Sequence, residues 1–317
     1  MAPHERGWSG AALARFRVFL QNGTSLTLIT KTMGRNERRV MHLLSSEGHA
    51  HTPFAYVPDL EREGPCLVCM QDVGSTKMGI PLRSDDRSPS AAVNQQVAAA
   101  LASIHLHYRG RGLELGWLPP ADAPHITGRL LTDMWRSRWD EALQTNPAFA
   151  REFGHYTPHL EAAGACLRRT VASLWQEATS LTLTHGDLHG DHVLLWHGHP
   201  YFIDWDWAAY GPFYLDLPAL FTPSTVHHYR EALVAQGLEI SEPDFMERYH
   251  QIGRYVGFRY LCSGIWEWQA APKTIIGRRL LLTIKWALDG TWPHRAFSVP
   301  DDAWHQLTQD HARGVLE

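Results

Sequence analysis

Two short runs concentrate the ionisable groups of this 317-residue chain: Thr184-His185-Gly186-Asp187-Leu188-His189-Gly190-Asp191-His192, and Tyr201-Phe202-Ile203-Asp204-Trp205-Asp206. They hold four carboxylates and three histidines. Apolar runs at 181–184, 193–196 and 201–203 frame them, with turn residues His197-Gly198-His199-Pro200 between the last two. The pattern predicts a strand feeding a loop, then a β-hairpin. Asp187 would sit on the loop, and the hairpin would bring Asp204 back beside it. Carboxylates converging at strand ends suit metal-assisted phosphoryl transfer: one orients a hydroxyl, and others hold the cation on the phosphates.

A second chemistry is open to the same residues. His185, His189 and His192 would share one face of a helix and could mimic a zinc site, the mark of a metal-dependent hydrolase. Two glycines and a preceding β-type run argue against a helix there.

The two runs resemble the catalytic segment of the aminoglycoside phosphotransferase/choline kinase superfamily, small-molecule relatives of the protein kinases. The family pattern is His-Gly-Asp, four residues, Asn, then a hairpin ending in Ile-Asp-Phe/Trp-Asp/Glu. Here it reads His185-Gly186-Asp187 and Ile203-Asp204-Trp205-Asp206, followed by Gly211-Pro212 and Asp216-Leu217. His192 stands where the family has Asn, a variant that some macrolide and aminoglycoside kinases also resemble. The resemblance implies Asp187 as the catalytic residue and Asp204 and His192 as ligands of Mg²⁺ or Mn²⁺. Asp216 would brace the catalytic loop through its backbone, and Asp206 would aid the metal or cap the turn, the structural role being favoured.

Such a fold needs a nucleotide-binding lobe upstream. Leu13–Leu20 and Ser25–Thr30 flank an Asn22-Gly23 turn, a strong local hairpin signal. Gly7-Trp8-Ser9-Gly10-Ala11 then occupies the place of a phosphate-covering loop, with Gly7, Ser9 and Gly10 letting backbone amides approach phosphate. Six residues precede Gly7, so the strand leading into that loop is expected to be very short or to begin upstream. Lys31, at the end of the second strand, resembles the family's phosphate-binding lysine. Asn36 is expected to cap a helix carrying Val40, Leu43 and Leu44 on one face, with Glu37 as the partner of Lys31. Cys66–Met70 resembles the strand entering the hinge, where the backbone of Gln71, Asp72 and Val73 would meet the nucleotide base.

Beyond the hinge the pattern is helical. Ser88-Pro89 reads as a cap and first turn for a helix through Ile104, with a structural His105 near its end. Segments around 126–143 and 159–177 keep the helical period, as does most of the chain after Asp216. The expectation is a two-lobed α+β fold of protein-kinase type, with residues 1–73 as nucleotide lobe and hinge and 74–317 as a helical lobe carrying the catalytic segment 184–217.

Composition fits an enzyme of the cytoplasm. A formal net charge of −4 carries no nucleic-acid signature. No apolar stretch approaches a membrane span, and the first residues lack the apolar core of a signal peptide. Cys66 and Cys69 are spaced as CxxC, but on a strand they face opposite sides and read as packing.

The resulting expectation is transfer of the γ-phosphoryl group of ATP or GTP to a hydroxyl of a small molecule, an antibiotic or a metabolite, with no nucleic-acid or membrane partner. A nucleotide-binding scaffold without turnover is the alternative on the same fold. Trp205, Trp207, Trp266 and Trp268 could wall the acceptor site or belong to the core. Asp140, Glu141 and Glu267 are candidates for an acidic cleft that would attract a polycation.

Overall fold

The computed structural model describes residues 13–48, 51–73, 76–77, 89–121, 135–270 and 279–291. Gly7, Ser9 and Gly10 lie outside them, as do the start of the helix expected around residue 126 and the chain beyond 291.

The N-terminal part is an antiparallel sheet with one helix against it. β1 (Leu13–Phe19) and β2 (Ser25–Met33) form the expected hairpin, and β4 (Cys66–Gln71) and β3 (Ala55–Tyr56) extend the sheet in the order β1-β2-β4-β3. The connection is longer than a two-residue turn. Leu20 N–H donates to Thr24 O, Gly23 takes φ +79°, and the Asn22 carboxamide oxygen accepts from the Thr24 amide. β2 also runs two residues past Lys31, because Met33 still pairs with Cys66. Lys31 is therefore held from both sides, opposite Leu13 and Val68.

Helix α1 (Arg35–Ser46) starts earlier than its sequence suggests. Gly34 is the residue before it, and Asn36 lies inside its first turn. The Asn36 side chain donates instead to Ala208 O at 2.9 Å, a contact with the catalytic segment. Arg38, fully buried on the next turn, donates to the carbonyls of Met33, Asp59, Arg62 and Gly64. A guanidinium with that many carbonyl partners can remain charged inside the fold.

The C-terminal part is helical. α2 (Ala91–Tyr108) begins two residues later than expected, with Ser90 rather than Ser88 accepting from the Val93 amide. α3 (Trp135–Thr145), α4 (Pro147–Phe153), α5 (Thr157–Leu174), α6 (His227–Ala235), α7 (Glu242–Ala270) and α8 (Arg279–Asp289) follow. α7 and α8 approach to backbone contact: a Cβ on Gly257 would lie 2.4 Å from Ala287 N. Trp139, Phe149, Phe153 and Trp268 interlock as an aromatic core across α3, α4 and α7. No helix among the described residues is long and apolar enough to cross a membrane.

Two small sheets carry the catalytic segment: β6 (Leu181–Thr184) with β9 (Ala209–Pro212), and β7 (Val193–Trp196) with β8 (His199–Phe202) and β5 (Thr76–Lys77). The β7–β8 turn is shorter than expected. His197 and Gly198 both take positive φ, and His199 and Pro200 already belong to β8. Proline is tolerated there because β8 is an edge strand and needs no donor on its open side.

A polar clamp joins α1 to α2. Arg111 grips both carboxylate oxygens of Glu47, at 2.8 and 3.0 Å, and His107 approaches Glu47 Oε2 at 2.7 Å. Hydrogen bonds from Arg111 hold the Glu47 carboxyl at about 2, below its ordinary 4.5. A depressed acid stabilises the fold fully above its unfolded pKa and loses that contribution as pH falls through its folded one. We therefore expect Glu47→Gln to cost about 1 kcal/mol at pH 7. The gap from wild type should shrink as pH drops from 5 toward 3. Urea unfolding across that range checks both.

Candidate active site

Strand β6 can bury its two threonines as well as its leucines because the hydroxyls are satisfied: Thr182 donates to His105 O and Thr184 to Ala209 O. The chain leaves it through Gly186 at φ +76°, where a Cβ would lie 2.2 Å from Trp207 O. Only glycine fits that approach. His185, fully buried, donates from Nε2 to Ile203 O at 2.8 Å and accepts the Asp187 amide at Nδ1. Burial lowers its pKa, which keeps the ring neutral and suits that donor–acceptor pair.

Asp216, with no exposed surface, fixes the turn from below. Its Oδ2 accepts the His185 amide at 2.6 Å and its Oδ1 the Gly186 amide at 2.8 Å. His105 Nε2 lies 3.1 Å from Oδ2, and its Nδ1 meets the Tyr229 hydroxyl at 2.6 Å. The catalytic turn is thereby bolted to α2 and α6.

Asp187 emerges from the turn partly exposed. Its Oδ1 accepts from the Tyr260 hydroxyl at 2.8 Å and pairs with Arg259 at 3.0 Å, both from α7. Burial opposes the charge of Asp187, but the Arg259 guanidinium, His189, His192 and the Tyr260 hydroxyl together outweigh it, and the carboxyl is held below its usual range.

The hairpin returns Asp204 at φ +69°, between two positive groups. Lys31 Nζ lies 2.5 Å from its Oδ1, and His192 Nε2 3.3 Å from its Oδ2. Burial works against its ionisation, yet the His192 bond and the Lys31 charge hold it well below the carboxylate range. Lys31 also reaches Glu37 Oε1 at 2.6 Å. Burial pulls the Lys31 pKa down and the two carboxylates more than restore it, so it stays an ammonium. Glu37, only 2% exposed, is pushed up to about 7 by burial, with Asp204 and Asp206 adding like charge.

His192 tests whether a cation suits the site. Its Nδ1 faces Asp187 O at 2.8 Å, and a carbonyl only accepts, so Nδ1 carries the proton. Nε2 faces the carboxylate of Asp204; burial works against a charged ring, but the Asp204 bond and charge more than offset it, and the His192 pKa is raised. A bare Nε2 and a carboxylate at 3.3 Å need positive charge between them, a proton or a metal ion. A divalent cation fits that donor pair. Asp187, His189 and His192 also bring one ligand atom each within 4.8 Å of one another. Burial lowers the His189 pKa to about 4, leaving that ring neutral.

At the hinge, Gln71 N–H donates to Phe54 O and Asp72 N–H to Thr27 O, while the Asp72 carboxylate pairs with Arg15 at 2.6 Å. Val73 is buried, and its backbone groups have no partner among the described residues. Trp205 and Trp268 are core, whereas Trp207 and Trp266 are 48% and 58% exposed. Arg259 and Tyr260 were not singled out by sequence. No motif marks them out: the stretch Ile252–Ile265 of the long helix α7 also holds Arg254, Tyr255 and Ser263.

The profile of the phosphotransferase enzyme family matches residues 29–249. The chain belongs to that family. It is a small-molecule kinase with a protein-kinase-like fold. Similar solved structures include the AMP-bound complex of spectinomycin phosphotransferase APH(9)-Ia, at 13% identity and TM-score 0.57, covering 90% of this chain and 93% of that one. A choline/ethanolamine kinase family protein from Mesorhizobium loti has 14% identity and TM-score 0.55, covering 93% and 92%. The GDP and kanamycin complex of APH(2")-IIIa has 14% identity and TM-score 0.50, covering 99% and 93%. At these identities the likeness is one of fold. No curated protein matches the chain by sequence.

Asp216→Asn tests the brace of this kinase's catalytic turn. An amide can accept at one oxygen only, so its NH₂ would face a buried backbone N–H. We expect a loss of about 2 kcal/mol or more in urea unfolding. Turnover should fall further than nucleotide affinity. A fully stable, fully active variant would show that Asp216 does not hold the turn.

Proposed function

We propose that this site transfers the γ-phosphoryl group of ATP or GTP to a hydroxyl of a small molecule. The observation that carries the reading is the bridge of Lys31 to Glu37 and to Asp204, 173 positions away in sequence, with Asp187 on the adjoining loop. The acceptor oxygen forms a bond to the γ-phosphorus while the bond to the β–γ bridging oxygen breaks. The hydroxyl proton passes to Asp187 late, because the loose transition state needs little base strength. A carboxylate held below its usual pKa suits that role, since it orients the hydroxyl more than it deprotonates it.

Lys31, oriented by Glu37, neutralises charge on the α- and β-phosphates. A bound Mg²⁺ or Mn²⁺ would supply charge compensation on the phosphates, and Asp204 and His192 are the residues that would hold it. Imidazole as a ligand favours the softer Mn²⁺ relative to an all-oxygen site. Gly7, Ser9 and Gly10 would cover the phosphates, and the backbone of the Gln71–Val73 hinge, Val73 above all, would receive the base.

The alternatives gain less support. A nucleotide-binding scaffold would use Lys31, Glu37 and Asp204 but has no need of Asp187 beside them. A hydrolytic zinc centre on Asp187, His189 and His192 would place the metal beside Arg259, a permanent cation on its carboxylate ligand.

Asp187→Asn keeps the shape and removes the proton acceptor. We expect phosphorylation of an accepted substrate to fall at least about 10²-fold, with Mg-nucleotide affinity little changed. Transfer of the labelled γ-phosphate to the acceptor is the measurement. Retention of most of the turnover would contradict the assignment.

A further inference from the structure

Arg259 is a permanent cation placed where the acceptor hydroxyl must approach. One Nη lies 3.0 Å from Asp187 Oδ1, and its guanidinium stacks over the Trp207 ring at 4.7 Å. Its side chain keeps 15% exposure, and its remaining donors have no partner among the described residues. Tyr260, locked against Trp286 by parallel stacking at 5.5 Å, donates to the same Asp187 oxygen. The charge of Asp187 is thus already compensated by the protein. A cationic acceptor would gain little from that carboxylate and would be repelled by Arg259.

The rest of the same helix face agrees. Arg259, Cys262, Ser263 and Trp266 stand at i, i+3, i+4 and i+7 on α7, all partly or fully exposed. They form a stripe running away from Asp187. Arg138 of α3 reaches the Cys262 thiol beside the stripe. The acidic candidates that would attract a polycation are each taken by an arginine. Asp140 pairs with Arg136 at 2.8 Å, Glu141 with Arg138 at 3.4 Å, and Glu267 with Arg279 at 3.1 Å.

We propose that Arg259, stacked on Trp207, is an anion anchor of the acceptor site, so that the acceptor is a hydroxylated compound bearing a carboxylate or other anionic group rather than an aminoglycoside-like polycation. This assignment rests on the kinase reading of the site and narrows its substrate class. Arg259 binds the acceptor's anionic group through the donors that Asp187 leaves open, and the acceptor hydroxyl takes its place at the carboxylate.

Gluconate, sorbitol and N-methylglucamine share a six-carbon polyol chain and differ in charge, −1, 0 and +1. Each is tested for phosphorylation with Mg-ATP by mass spectrometry, and for binding by isothermal titration in the presence of a non-hydrolysable ATP analogue. We expect gluconate to be preferred about tenfold or more over the other two, the effect of one charge-assisted contact. Arg259→Met should erase the preference by raising KM for gluconate, and Arg259→Lys should retain part of it. Preference for N-methylglucamine, absence of gluconate binding, or a ranking unchanged in Arg259→Met would overturn the anchor. So would an equal loss of kcat on every acceptor, which would place Arg259 on the transferred phosphoryl group. Binding that follows charge without any phosphorylated product would leave the anchor standing and count against the kinase reading alone.

Discussion

A buried ammonium shared by two carboxylates sets the geometry of this enzyme. Lys31 is 11% exposed at its side chain, Glu37 2%, and neither could stay charged alone at that depth. Each partner comes from a different element: Lys31 from the inner strand β2, Glu37 from α1, Asp204 from the end of the catalytic hairpin. Moving any one strands a charge in the interior, so the sheet, the helix and the hairpin are positioned together. The Asn36 bond to Ala208 O reinforces the same junction, and the Arg38 cluster of carbonyls keeps α1 in register with the loop at 59–64.

From that junction the order spreads to the reacting groups. His192 ties Asp204 to the backbone of Asp187, so the proposed metal ligand and proton acceptor are set one against the other. Asp216 fixes the turn beneath them, and α7 closes the far side with Arg259 and Tyr260. That closure depends on the backbone contact at Gly257, which seats α7 on α8 and lets Tyr260 stack on Trp286.

Sequence spacing revealed the parts whose geometry is local. His185-Gly186-Asp187 and Ile203-Asp204 are fixed by a strand, a turn and a hairpin, each with residue types that permit few other conformations. Lys31 and Glu37 were legible because a short strand-to-helix connection leaves them little freedom. Element ends were less so. Asn36 reads as a cap in isolation, but a contact 172 positions away claims its side chain, and the helix begins before it. Ser88-Pro89 reads as cap and first turn, but the Ser90 hydroxyl accepts from Val93 and the helix begins at Ala91. Arg259 and Tyr260 lie in a helix with no motif, and only tertiary packing brings them to Asp187. The same holds for Asp140, Glu141 and Glu267, whose arginine partners cannot be read from composition.

If the shared ammonium is what aligns the nucleotide side of the site, Lys31 and Asp204 must act as a unit. The direct measurement is a double-mutant cycle on Mg-ADP affinity by isothermal titration, using wild type, Lys31→Met, Asp204→Asn and the double variant. We expect a coupling of about 1 kcal/mol or more, with the double variant losing less than the two single losses combined. Losses that add within about 0.3–0.5 kcal/mol would show that the two residues act independently, and would contradict it.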